Sequence, residues 1–234
     1  MINGIKAMGL IGANFTIPHK QAVLKHLDEL ALSAKIIGAV NTISIEGGRL
    51  IGHNTDGQGF MRALEYFAKA KPQDSIVTIL GAGGAARAIA VELSLAGAKS
   101  ITIVNRTLSK AEQLIEDIAP HLKSSLSAAS WDSTHKIPNS TDILINATSI
   151  GLYPDSAMPD VDMDTILPDM LVVDVIPNPP ETKFLKMAEA AGANTLNGLG
   201  MLVHQGAIAF KIWTGKDAPV DVMYKALIDE FGAG

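Results

Sequence analysis

The chain has 234 residues, of which 47% are hydrophobic and 18% charged, and its formal net charge is −5 at pH 7. This composition supports a sizeable core and excludes global disorder, and the acidic balance argues against a general binder of nucleic acid or anionic membranes. Without a single cysteine, disulfides, thiolate zinc sites and cysteine nucleophiles are excluded.

No apolar run reaches the roughly 18 residues of a membrane span. The first fifteen residues, MINGIKAMGLIGANF, are mildly apolar but lack a basic leader and an Ala-x-Ala cleavage site. The expectation is a cytoplasmic protein.

Residues 5–10 read as a short helix, with Ile5, Met8 and Leu10 near one face. Residues 13–17 alternate as a strand, and Pro18 closes it ahead of a helix over 19–32. The apolar face of that helix is Val23, Leu24, Leu27 and Leu30. Asn14, Thr16 and Lys20 therefore meet at a strand end and helix start. Taken alone, Lys20 reads as a solvated lysine and Asn14 as a turn residue. Residues 40–45 and 50–54 form two strands around the turn Glu46-Gly47-Gly48-Arg49. A helix follows over about 58–69, with Phe60, Leu64 and Phe67 on one side, and Asp56 ahead of it reads as an N-cap.

Residues 76–106 form the most informative stretch. Ile76-Val77-Thr78-Ile79-Leu80 is a buried parallel strand by its β-branched content. Gly81-Ala82-Gly83-Gly84-Ala85-Ala86 follows at once and fits G-x-G-x-x-A. Gly81 allows the tight turn, Gly83 lets a pyrophosphate approach the backbone, and Ala86 lets the following helix pack on the strand. That helix presents free N–H groups to a phosphate. After the second strand, over 100–104, an NAD site usually carries an acid that binds the ribose hydroxyls. Here Asn105-Arg106-Thr107 stands in its place, with Lys110 one turn on. Arg106 and Lys110 can pair with a 2′-phosphate, so the site favours NADP over NAD.

Residues 108–118 read as a helix and 124–138 as a polar, irregular segment with Trp131 packed locally. Residues 142–146 form another buried strand, ending in Ala147-Thr148-Ser149-Ile150-Gly151. Residues 171–175 repeat the pattern and run into Ile176-Pro177. A helix over 181–191, a short strand over 194–196, and helices over 201–214 and 220–231 complete the chain. Parallel strands alternating with helices predict a doubly wound sheet across 75–197. The last two helices are too apolar to stand free.

GANFTIPHK, GAVNT, NTDGQGF, LGAGGAARA, NRT, NATSIG and NGLGMLVHQGAIAF occur in this order, and together they resemble the shikimate dehydrogenases. The resemblance runs from about Gly12 to the C-terminus. It implies an α/β protein with an NADP-binding Rossmann-type doubly wound parallel sheet over 61–199. A smaller α/β substrate domain would comprise 1–60 and 200–234 and be completed by the C-terminal helices. It also implies NADP-dependent interconversion of 3-dehydroshikimate and shikimate, a step toward chorismate and the aromatic amino acids.

Residue by residue, the resemblance makes Lys20 the acid/base and Asp56 its partner. It makes Asn14, Thr16, Asn41 and Gln205 ligands of the substrate. Gly81, Ala82, Gly83, Gly84, Ala85, Asn105, Arg106, Thr107, Lys110, Thr148 and Ser149 become NADP contacts, and Gly198 and Met201 lie near the nicotinamide. The chemistry fits these types: an ammonium beside a ketone oxygen stabilises charge during hydride transfer and supplies the proton. No metal is required.

Three departures stand out. Family members carry several tens of residues upstream, including a Ser-x-Ser motif for the substrate carboxylate, whereas Met1 lies just ahead of GANFT. That predicts an exposed sheet edge, an incomplete pocket and self-association as a homodimer. Phe15 replaces the motif's usual Val, and Pro177 follows the stretch after which the family often has Tyr. Two further readings therefore stand beside the first: a non-catalytic NADP-binding fragment, and a quinate/shikimate enzyme of altered substrate.

Overall fold

A computed structural model describes residues 2–16 and 18–232, so Ile17 of the expected first strand lies outside the described residues. The chain enters through helix α1 (Ile2–Ala7) and strand β1 (Gly12–Asn14). The helix expected over 19–32 is broken. It consists of α2 (His19–Ala22), a 3₁₀ turn at Leu24–His26 and a two-residue strand β2 (Glu29–Leu30). The cause is a neighbouring strand end that needs partners: Asp28 N donates to Leu50 O (2.9 Å), and the Asp28 carboxylate accepts from Leu50 N (2.7 Å). Val23, Leu24, Leu27 and Leu30 still reach one core, packed with Ile43 and Leu50.

Helix α3 (Leu32–Ile37) ends at Gly38, whose φ is +68°. Strands β3 (Thr42–Glu46) and β4 (Arg49–His53) form the expected hairpin in antiparallel register, Glu46 opposite Arg49. The turn glycines, Gly47 and Gly48, both have positive φ (56° and 82°), as a two-residue turn between twisted strands requires. The small sheet has the order β1-β3-β4-β2.

Helix α4 (Thr55–Ala63) starts three residues earlier than the sequence reading and runs into a π-helical turn at Leu64–Ala68. Its cap is Asn54, whose side chain accepts from Asp56 N (3.1 Å). Asp56 therefore sits in the first turn rather than at the cap, and its carboxylate is released for other contacts.

The second sheet is parallel throughout, in the order β10-β9-β8-β5-β6-β7. Its elements are β5 (Ile76–Leu80), α5 (Gly84–Leu95), β6 (Ser100–Asn105), α6 (Leu108–Ile118), β7 (Ser125–Ser130), β8 (Ile143–Asn146), β9 (Leu171–Asp174), α7 (Lys183–Ala190) and β10 (Asn194–Leu196). This is the doubly wound order, with its switch point between β5 and β8. The segment expected to be irregular contains β7. Its small residues, SLSAAS, carry little strand preference and are drawn into register by β6, from Ser100 opposite Ser125 to Asn105 opposite Ser130.

Helices α8 (Leu199–Thr214) and α9 (Val220–Phe231) close the chain. A Cβ added at Gly59 would lie 2.7 Å from Gln205 N and 2.8 Å from Met201 O, so glycine is what lets α4 touch α8. On its other side, a Cβ at Gly57 would lie 2.6 Å from Ala88 O on α5. Helix α4 is thus held between α5 and α8. The main core joins Ile37 and Phe60 to Ile79, Ile89 and Ile103 in one continuous cluster. No described helix is long and apolar enough to cross a membrane.

Candidate active site

A cavity of about 410 Å³ opens where the start of α2, the start of α4 and the first turns of α8 converge. Lys20 and Asp56 line it, and Lys20 Nζ donates to Asp56 Oδ2 at 2.7 Å. The pair is partly open to solvent, with side-chain exposures of 30% and 18%. Asp56 rides the first turn of α4, where the helix dipole favours an anion.

The second oxygen of Asp56 is also taken. Asn41 Nδ2 donates to Asp56 Oδ1 (3.0 Å) and to Thr55 Oγ1 (2.9 Å), while Asn41 Oδ1 accepts from Thr55 N (2.7 Å). Asn41 is only 3% exposed. Its amide is committed to framing the ion pair, although it also lines the cavity. Gln205 Oε1 accepts a longer bond from Asn41 Nδ2 (3.4 Å), and its own Nε2 donates to Leu202 O (3.0 Å). Asn14 is anchored across the small sheet, where its Nδ2 donates to Thr42 Oγ1 (2.8 Å) and Asn41 O (3.1 Å).

All six residues that the sequence assigned to catalysis and substrate therefore line one cavity: Lys20, Asp56, Asn14, Thr16, Asn41 and Gln205. Gly198 and Met201 line it too, and so do Phe15 and Pro177. Val175 and Leu202 are lining residues that the sequence reading passed over. They are apolar residues in ordinary core-like runs, with nothing in their spacing to mark them.

The glycine turn lies at the C-terminal end of β5. Gly81 has φ +103° and packs against Thr148 and Ala147, where a Cβ would lie 2.9 Å from Thr148 Cγ2. Gly83 is extended and caps α5 without any side-chain bond. A Cβ at Gly83 or Gly84 would meet nothing within 4 Å. This open approach to the N–H groups of a twelve-residue helix suits a pyrophosphate. Ala82 and Ala85 flank the turn, half-buried.

At the end of β6, Asn105 Nδ2 donates to Thr107 O (2.8 Å) and shapes the next turn. Arg106, Thr107 and Lys110 are exposed there, cationic and hydroxyl donors suited to a phosphate monoester. Thr148 and Ser149 follow β8 at the switch point. The residues present fit an NADP molecule laid across the ends of β5, β6 and β8. No group of three or more His, Asp or Glu arranged to hold a metal occurs among the described residues.

Three family models match in succession. The shikimate dehydrogenase substrate binding domain covers residues 1–43, shikimate/quinate 5-dehydrogenase covers 63–182, and the shikimate 5′-dehydrogenase C-terminal domain covers 198–228. The NADP(+) shikimate dehydrogenase of Methanocaldococcus jannaschii is 48% identical over 232 residues, spanning 98% of this chain and 81% of that one. Among solved structures, the ligand-free 5-ketofructose reductase of Gluconobacter sp. strain CHM43 is 52% identical with a TM-score of 0.94, over 98% of this chain and 82% of that one. Shikimate 5-dehydrogenase of Thermus thermophilus, solved with NADP(H) and shikimate, is 36% identical with a TM-score of 0.81, over 97% and 81% of the two chains. Shared along nearly its whole length and joined to a lysine–aspartate pair beside a dinucleotide turn, these likenesses establish that the chain belongs to the shikimate dehydrogenase family.

Proposed function

We propose that this protein is an NADP-dependent oxidoreductase that interconverts 3-dehydroshikimate and shikimate, a step of chorismate and aromatic amino acid biosynthesis. The observation that carries the reading is the Lys20–Asp56 pair at 2.7 Å, set in the cavity that Gly198 and Met201 also line. Residues 61–199 act as the cofactor domain, and residues 1–60 with 200–234 as the substrate domain.

NADPH, when bound, supplies the hydride. Gly81, Ala82, Gly83, Gly84 and Ala85 hold its pyrophosphate, while Asn105, Arg106, Thr107 and Lys110 hold the 2′-phosphate end. Thr148 and Ser149 border it at the switch point. The ketone oxygen gains negative charge during reduction. Lys20 stabilises that charge and gives the oxygen a proton from Nζ. Asp56 keeps the ammonium aimed, and Asn41 keeps Asp56 from turning by occupying its Oδ1. Asn14, Thr16 and Gln205 offer neutral donors and acceptors to the substrate hydroxyls.

Lys20→Ala should lower kcat by roughly 10²–10⁴-fold while leaving the Kd for NADPH within threefold of wild type. Nicotinamide absorbance and a fluorescence titration measure the two, and a fully active variant overturns the assignment.

A second reading follows from the 52% identity to a 5-ketofructose reductase. Among the described residues lining the cavity, Lys20 is the one cation, and it is engaged by Asp56. A neutral polyhydroxy ketone places no carboxylate there to be matched. Parallel assays of NADPH oxidation with 3-dehydroshikimate and with 5-ketofructose decide between the two by the ratio of kcat/KM. A ratio above about tenfold in favour of 5-ketofructose would replace the first reading.

A further inference from the structure

Asp174 ends β9 with no solvent exposure at all, an uncommon place for a carboxylate. Three donors converge on it. Asn146 Nδ2 (3.0 Å) and Ile176 N (3.1 Å) donate to Oδ1, and Thr182 Oγ1 donates to Oδ2 (2.8 Å). Each arm leads to a different segment.

The Asn146 arm runs toward the cofactor side. Asn146 Oδ1 accepts from Thr148 N (3.1 Å) and from Thr148 Oγ1 (2.7 Å), and Thr148 Oγ1 in turn accepts from Ile150 N (3.1 Å). Thr148 is the residue packed on Gly81. The Ile176 arm runs toward the substrate side. Val175 and Pro177 line the cavity, and a Cβ at Gly198 would lie 2.5 Å from the carbonyls of both Val175 and Ile176. The Thr182 arm leads away from the cleft, because Thr182 Oγ1 also caps α7 by accepting from Leu185 N (3.3 Å).

We propose that Asp174 is a positioning residue: one buried carboxylate fixes the Thr148 loop against the dinucleotide turn and the Val175–Pro177 wall against the substrate cavity, so that both are set together. Burial pushes the Asp174 carboxyl up to about 6, and its three donors act against that shift. The inference rests on reading the glycine turn as the NADP site.

The variants are Asp174→Ala, Asp174→Asn, Asn146→Ala and Thr182→Val, each followed by NADPH fluorescence titration and by thermal melting. Asparagine keeps an Oδ1 for two of the donors and can present its amide to the Thr182 hydroxyl. Asp174→Ala and Asn146→Ala should raise the Kd for NADPH by about tenfold or more, the scale of a hydrogen bond to a charged group. Asp174→Asn should stay within threefold of wild type. Thr182→Val should lower Tm while leaving the Kd unchanged, which separates positioning from plain stability. If Asp174→Ala fails to fold, Asn146→Ala carries the same test. Wild-type Kd in Asn146→Ala, or a Kd that follows Tm across the whole set including Thr182→Val, overturns the proposal. A wild-type protein that binds no NADPH would instead overturn the cofactor site on which it rests.

Discussion

Single residues divide sharply by how far their partners lie along the chain. Lys20 looks like any solvated lysine until Asp56, 36 residues on, is found at 2.7 Å. That pairing is legible in the sequence only when GANFTIPHK and NTDGQGF are taken together as a family pattern. Asn41 illustrates what such a pattern leaves out. The resemblance marks it as a substrate ligand, and it lines the cavity; the folded backbone adds that its amide also donates to Thr55 and Asp56. Asp174 opens the stretch that Pro177 follows, but its partners stay hidden for the same reason, since they come from residues 146, 176 and 182.

Its ionisation gives a test at this scale. The carboxyl titrates near 6 in the folded chain, above its ordinary 3.8, so folding favours its protonated form. The cost of keeping it ionised is full above pH 6, fades between about 6 and 4, and is absent below that. That gap is worth up to about 3 kcal/mol. Wild type should therefore gain stability relative to Asp174→Asn as pH falls from 7.5 to 4.5. Urea unfolding of both proteins at matched pH measures it, and parallel pH curves would count against the buried charge.

Among elements, the legible ones are those whose burial is uniform. Strands β5, β8 and β9 are mostly apolar and almost wholly buried, and the expected bounds of each lie within a residue of the observed ones. The failures are elements made by their neighbours. Apolar spacing over 19–32 suited a helix, yet the edge of β4 claimed residues 28–31 for backbone pairing. Strand β7 is too poor in β-branched residues to announce itself.

Helix α4 shows how element packing reaches the chemistry. Asp56 stands on α4 and Gln205 on α8, and Gly59 permits their approach. A methyl group there must push the two helices apart. Gly59→Ala should cost about 1–3 kcal/mol of stability and lower kcat along with it, because the displaced helix carries the partner of Lys20. Differential scanning fluorimetry and steady-state rates check this together. Full activity at an unchanged Tm would mean that α4 can move without consequence.

For the molecule as a whole, the small sheet keeps a core of its own around Ile43 and Leu50, while helices α3 and α4 beside it join the larger core. Ile36 and Ile37 of α3 and Phe60 of α4 share one cluster with the strands of the parallel sheet. Arg87 adds a polar tie: its Nη1 donates to Ile37 O (3.1 Å), and its guanidinium pairs with Asp117 on α6. Shared burial of this kind couples unfolding. Calorimetry should record one transition whose van't Hoff and calorimetric enthalpies agree, whereas two resolved transitions would show that the sheets melt independently. A doubly wound sheet beside a smaller α/β unit was legible in the order of the motifs, but the burial that α3 and α4 share with it was not, because the contacts that make it join residues tens of positions apart.

The chain holds two tryptophans, and the fold assigns one to each sheet. Trp131 is buried beside the parallel sheet, its Nε1 donating to Asp160 O (2.9 Å). Trp213 on α8 is half-buried, and its Nε1 donates to Ile43 O on β3 (2.8 Å). With Trp131 replaced by Phe, the remaining indole becomes a single emitter seated on the seam between the last long helix and the small sheet. Its emission colour then reads the wetness of that seam, so the protein carries its own optical gauge of whether ligands tighten the substrate side or leave it as it was.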